Sequence, residues 1–104
     1  MIHRKSTIEQ QFKELADDWR RQKGPISSIT LKVMIPSYQR IIGLGSGVIP
    51  LILKELERQP DHWFYALEML TPENENPVSD REAGSIKKMA AAWVRWGKEK
   101  GLIR

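Results

Sequence analysis

Apolar side chains recur along this chain at the spacing of helical faces, and turn-forming residues separate one such stretch from the next. A capping box formed by Ser6 and Glu9 predicts that a first helix begins near Ser6. Gly24-Pro25 predicts its end, because proline disfavours helical backbone in the residue before it. The apolar face of this helix comprises Ile8, Phe12, Leu15, Ala16 and Trp19. Residues 1–5 precede it and are expected to form a mobile terminus.

Residues 26–35 can be interpreted in two ways. Alternating apolar residues are typical of a strand face, and here they are Ile29, Leu31, Val33 and Ile35. No second segment offers a good pairing partner, however, and an isolated strand leaves its backbone groups unsatisfied. We therefore predict a short helix that begins at Ser27 or Ser28 and ends before Pro36, with an extended segment as the alternative.

Residues 41–70 hold most of the large apolar side chains. Gly45-Ser46-Gly47 predicts a tight corner, and Ser46 is expected to cap a helix over residues 47–58. Apolar residues cover most of the circumference of that helix, which predicts a central position with neighbours on several sides. A second apolar helix is predicted over residues 60–70.

The polar stretch at residues 73–79 predicts a surface loop. Ser79 or Asp80 is then expected to cap a last long helix that runs through Lys100 and ends at Gly101. The pattern as a whole predicts an all-α fold, a compact bundle of about five helices in a single domain that spans the chain.

Length and composition agree with this architecture. A chain of 104 residues is long enough for one core, and the absence of cysteine excludes disulfides and thiolate chemistry. The longest apolar run, from Val48 to Leu53, is too short to cross a bilayer. We therefore expect a soluble cytoplasmic protein.

The net charge of +4 is unevenly distributed. Residues 1–40 carry eight basic and four acidic side chains, residues 41–80 carry two and seven, and residues 81–104 carry seven and two. Two interpretations follow from the basic ends. They are either solvated helix faces near an acidic middle, or a patch that faces nucleic acid or an acidic protein.

Candidate chemical sites are weak. Asp61 and His62 are adjacent, but neighbours on a helix point in different directions, and the only other histidine is His3 near the terminus. The glycines of residues 43–47 lack the preceding strand that a phosphate-binding loop needs. We therefore predict no catalytic residue, no cofactor and no metal, and expect that the protein is not an enzyme.

The four tryptophans suggest a different kind of site. Trp19, Trp63 and Trp93 fall on apolar faces and are predicted to lie in the core, whereas Trp96 is flanked by basic residues at a predicted core edge. Tryptophan beside arginine is typical of protein interfaces, and also of nucleic-acid surfaces that stack bases. The predicted partner-binding residues are Trp96, Arg95, Lys87, Lys88, Lys98, Tyr38 and Arg40.

Two resemblances add to these expectations. Residues 41–72, with a small-residue corner followed by two apolar helices, resemble one HEAT-type helical hairpin. A wider set of motifs is similar to a family of small bacterial proteins and covers most of the chain: residues 36–43, 60–64, 75–78 and 91–97. The family resemblance implies an association with small bacterial gene cassettes and with toxin-like partners. A single hairpin forms no solenoid, so the flanking helices are expected to cap it.

Two functions are therefore predicted, in order. The first is a non-enzymatic protein-interaction module, an antitoxin-like or regulatory partner of a neighbouring gene product. The alternative is a small DNA-binding regulator that uses residues 45–70 as a helix-turn-helix together with the basic terminal helices. It ranks lower because its recognition helix would be apolar at Trp63, Phe64 and Tyr65, whereas a groove-reading helix needs polar and basic side chains there.

Overall fold

The computed structural model describes residues 7–104, and this part of the chain is all-helical, as predicted. Two short 3-10 turns accompany the α-helices, at Ser46–Val48 and at Glu73–Glu75. The six α-helices are α1 (Ile8–Lys23), α2 (Ile29–Val33), α3 (Pro36–Gly43), α4 (Ile49–Arg58), α5 (Phe64–Leu70) and α6 (Ile86–Glu99). None of the helices in residues 7–104 combines the length and the apolar character needed to cross a membrane. The HEAT-type character of the α4–α5 hairpin stays a prediction.

The first helix begins one residue later than predicted. Thr7 forms a capping box with Gln10: its hydroxyl accepts a hydrogen bond from the Gln10 backbone amide at 3.1 Å, and its own amide donates to the Gln10 side chain at 2.9 Å. Both pairs have the required spacing, and glutamine reaches back as well as glutamate does. Ser6 and the predicted mobile residues 1–5 lie outside the described residues.

Residues Ile29–Val33 of the segment at 26–35 are helical, which confirms the predicted short helix over the extended alternative. The Ser28 hydroxyl accepts a hydrogen bond from the Leu31 amide and begins α2. One long-range hydrogen bond and one buried side chain then hold this five-residue helix in place. The Trp19 indole donates to the Lys32 carbonyl at 2.9 Å, and Val33 is buried. Pro36 occupies the first turn of α3, where no backbone donor is needed.

The central corner forms at the predicted place but by a different mechanism. Gly45 has a φ of 87°, which favours glycine, and Ser46 enters a 3-10 turn without capping α4. As a result α4 begins at Ile49 and not at Gly47. The next helix, α5, also begins late, at Phe64, because the Asp61 carboxylate accepts the His62 amide and holds a turn there.

The predicted start of the last helix is wrong by several residues. Ser79 instead starts a separate local turn, in which its amide and its hydroxyl both donate to the Glu82 carboxylate. Gly84 has a φ of 91°, which interrupts the helical backbone. Ser85 then caps α6. The other end agrees with prediction, because Gly101 has a φ of 74° just after the last turn.

The core is built around aromatic side chains at the meeting of α1, α3 and the start of α5. The ring centroids of Trp19 and Trp63 lie 4.5 Å apart, and Tyr38 stacks on Trp63 at 5.7 Å with an interplanar angle of 11°. Phe12 packs against the same indole at 5.6 Å. All four side chains are buried, so this cluster joins three parts of the chain that are distant in sequence.

A second packed region joins α4 to α6 through Gly97. A Cβ atom at position 97 would lie 2.5 Å from the Leu53 Cδ1 and 3.3 Å from the Ile103 Cγ1. Leu53 is fully buried and Ile103 nearly so, which leaves little room for either to move. Glycine therefore permits the close approach of the two helices.

The substitution Gly97→Ala should lower the free energy of unfolding by about 1–3 kcal/mol, because the added methyl group overpacks this contact. Urea denaturation followed by tryptophan fluorescence measures the loss. Gly43→Ala is the matched control, because Gly43 ends α3 with no atom within 4 Å of the added Cβ and no positive φ. Equal losses for the two variants would contradict the proposed role of Gly97.

Candidate interaction surface

The structure does not bring the seven predicted contact residues together. Five of them lie on α6, which packs against α4, whereas Tyr38 and Arg40 lie on α3, which packs against α1 and α5. Arg40 is exposed and borders a shallow groove that Gln11, Glu14, Leu15, Gly43 and Leu44 also line. The α3 residues are therefore best considered apart from the α6 residues.

Tyr38 is not a surface residue, which corrects its predicted role as a partner contact. Its side chain is fully buried in the aromatic cluster. The hydroxyl donates to the His62 carbonyl and accepts from the Ala66 amide, each at 3.0 Å. Burial raises the pKa of Tyr38 well above its ordinary value. Tyrosine is amphipathic, so the sequence alone does not distinguish a core tyrosine with a satisfied hydroxyl from one at an interface.

Removing this hydroxyl should destabilise the fold. Tyr38→Phe leaves the Ala66 amide and the His62 carbonyl without their partner, and the expected loss is about 1–3 kcal/mol of unfolding free energy. Tyr65→Phe, which removes the hydroxyl of a partly exposed tyrosine on α5, is the control and should change stability by less than about 0.5 kcal/mol. Chemical denaturation of both variants checks the difference, and a neutral Tyr38→Phe would contradict it.

The same hydroxyl should make the fold sensitive to alkali. Above pH 10.0, the ordinary tyrosine pKa, the unfolded chain loses the Tyr38 proton while the folded chain keeps it, so stability falls as pH rises. The decline in unfolding free energy between about pH 9 and pH 11 should be shallower in Tyr38→Phe than in the natural chain. Parallel slopes would show that other groups account for the alkaline sensitivity.

Trp96 lies at the edge of the core. It is half-buried and meets Trp93 edge to face, with ring centroids 5.3 Å apart. Its indole nitrogen is shielded from solvent and has no acceptor among the described residues. The predicted core residues Trp19, Trp63 and Trp93 are all fully buried, which confirms that part of the prediction.

The cations of α6 are only partly available to a partner. The guanidinium of Arg95 lies 3.9 Å from the Glu82 carboxylate, and the Lys98 and Lys100 ammonium groups lie 3.5 Å from Glu57 and 3.0 Å from Glu75. These pairs are solvent-exposed and weak, but they reduce the net field of the helix. Lys87 and Lys88 are exposed in its first turn, and neither forms an ion pair with a carboxylate in residues 7–104.

A surface that the sequence analysis missed lies on α2. The exposed fractions of Ile29, Leu31 and Met34 are 54%, 59% and 63%. Leu31 and Met34 are three positions apart and share the outer face, whereas Val33 points inward. The alternating apolar residues at positions 29, 31, 33 and 35, which resemble a strand face, could have indicated this exposed surface. In a helix, residues two apart face nearly opposite directions, so such a pattern cannot be buried on one side.

Exposed apolar side chains also occur on α5. Tyr65 and Met69 have exposed fractions of 39% and 55%, and the exposed Glu68 lies between them in sequence. An open cavity of about 500 Å³ adjoins Met69. Its lining residues are Glu68, Met69, Thr71, Pro72, Glu73 and Asn76. This surface is therefore apolar and acidic. Because α5 contains no basic residue, it offers no cation to a DNA phosphate.

His62 lies two residues before α5 and is partly buried. Its partial burial lowers its pKa, and the charge of Lys32 on α2 contributes in the same direction. Within residues 7–104 no group of three or more acidic, histidine or cysteine side chains could hold a metal ion.

Comparison of the chain with protein-family models, with curated proteins and with solved structures found no match.

Proposed function

We propose that this protein is a protein-interaction module that acts by binding, and that the outer face of α2 is its principal contact surface. The observation that carries the proposal is the exposure of Leu31 and the C-cap residue Met34 on one face of α2, together with the exposed Ile29 at the start of the same helix. Covering such side chains contributes roughly 25 cal/mol per Å² of apolar surface removed from water. Contiguous exposed apolar groups on a folded domain are typical of interaction sites.

The geometry of α2 supports this choice over the basic helix α6. Leu31 and Met34 occupy one face of an anchored helix, which gives a partner a rigid apolar surface. Arg95 and Lys98 already contact carboxylates of the same chain, and Trp96 is half-buried against Trp93. A partner-binding role for Trp96 and for the α6 cations therefore stays a prediction of second rank, at the edge of any contact.

Site-specific photocrosslinking in the native host tests the proposal. A photoreactive amino acid replaces Leu31 in one variant and Leu102 in the control, because Leu102 is also an exposed leucine but lies beyond α6. We expect a discrete protein adduct from position 31 and none from position 102. Mass spectrometry identifies the adduct, and the purified pair should then lose at least about tenfold in affinity with Leu31→Asp.

Two outcomes would contradict the proposal. The first is the absence of a protein adduct at position 31. The second is retention on DNA that weakens steeply with salt and is abolished by Lys87→Glu combined with Lys88→Glu, since counterion release is the signature of phosphate contacts. That result would favour the DNA-binding alternative and would place its contact on the first turn of α6.

A further inference from the structure

Charge is segregated along the chain in a way that matches the two apolar surfaces. Residues 19–54, which contain α2 and α3, have six basic side chains and no acidic one. Residues 55–82, which contain α5 and the turn after it, have eight acidic side chains and two basic ones. These totals include pairs between the two segments, Arg20 with Glu55 and Lys23 with Asp61, so the charges beside the apolar surfaces and outside those pairs are Lys32 on α2 and Glu68 and Glu73 at α5.

The exposed groups keep this difference in sign. On α2, Lys32 is half-buried and forms no ion pair with a described carboxylate. Around α5, Glu68 and Glu73 line the open cavity beside Met69. Apolar groups surrounded by opposite charges provide both affinity and correct orientation when they meet.

The two surfaces are also close together on the molecule. Helix α3 packs against both α2 and α5, and the Tyr38 ring on α3 lies 6.5 Å from the Tyr65 ring. The charge of Lys32 acts on His62, two residues before α5 begins. Neighbouring complementary surfaces suit a twofold axis, because each surface of one copy can then meet the opposite surface of the other in a closed dimer.

We propose that the partner of the α2 face is a second copy of this chain, in a twofold-symmetric dimer in which α2 of each copy packs against α5 and the Glu68–Glu73 groove of the other. The inference rests on the proposed function, because it names the occupant of the same surface. Two reciprocal contacts double the buried area, which helps small surfaces to reach the roughly 800 Å² per copy of a stable interface.

Sedimentation of the purified protein over a range of about 1 to 500 µM tests the inference. We expect a concentration-dependent shift from monomer to dimer, which weakens severalfold between about 50 and 500 mM salt because exposed charges are screened. Leu31→Asp and Met69→Lys should each raise the dimer dissociation constant at least about tenfold. Leu102→Ser is the control for an exposed leucine outside both surfaces and should leave dimerisation unchanged.

Mixing the two defective variants provides the decisive measurement. In the mixed dimer, α2 of the Met69→Lys copy meets α5 of the Leu31→Asp copy, so one of the two contacts is intact. The mixture should therefore associate more tightly than either variant alone. A dimer built on α2 against α2 would not recover on mixing, and that result would overturn the inference.

Two measurements distinguish a wrong dimer from a wrong interaction module. A chain that stays monomeric at every concentration and salt overturns the second copy as the occupant. If position 31 nevertheless crosslinks to a different protein in the host, the interaction module stands with another partner. Circular dichroism and urea denaturation of each variant establish that a loss of association is not a loss of folding.

Discussion

Most of the structure depends on the two hydrogen bonds that the Tyr38 hydroxyl group forms in the core. This hydroxyl is one polar atom in a cluster of aromatic rings, and it bonds both the His62 carbonyl and the Ala66 amide. Burying such an atom without partners would cost about 1–3 kcal/mol. The hydroxyl therefore ties the start of α5 to α3. Trp19 and Trp63 then fill the remaining space around the ring.

A second buried donor determines the position of α2 in the same way. The Trp19 indole bonds the Lys32 carbonyl, so the short helix cannot rotate without leaving that donor unsatisfied. Because Val33 points inward, Leu31 and Met34 have to point outward. The exposed apolar face is thus a consequence of how the core satisfies its polar atoms, and the core and the candidate site cannot be considered separately.

Local rules predicted the helices well because each boundary depends on a few adjacent residues. Ser28 caps α2 as its side chain suggests, and Pro36 and Gly101 take their expected positions. The predicted start of α6 failed because two local arrangements of the chain satisfy the same helix-capping rule. Ser79 bonds Glu82 as a helix cap would, but the left-handed backbone of Gly84 ends that turn at once. Whether a side chain lies in the core depends on residues that are distant in sequence. For that reason Tyr38 was assigned to the surface although it is buried, and the exposed face of α2 was not recognised.

The candidate site was less predictable than the fold, for a reason that also explains its exposure. Within residues 7–104, the aromatic rings pack on one another, and α6 packs on α4 through Gly97. Turning α2 over would bury Leu31 but expose Val33 and release the Lys32 carbonyl. Within the described residues, the packing that satisfies the core therefore leaves this apolar face exposed to water.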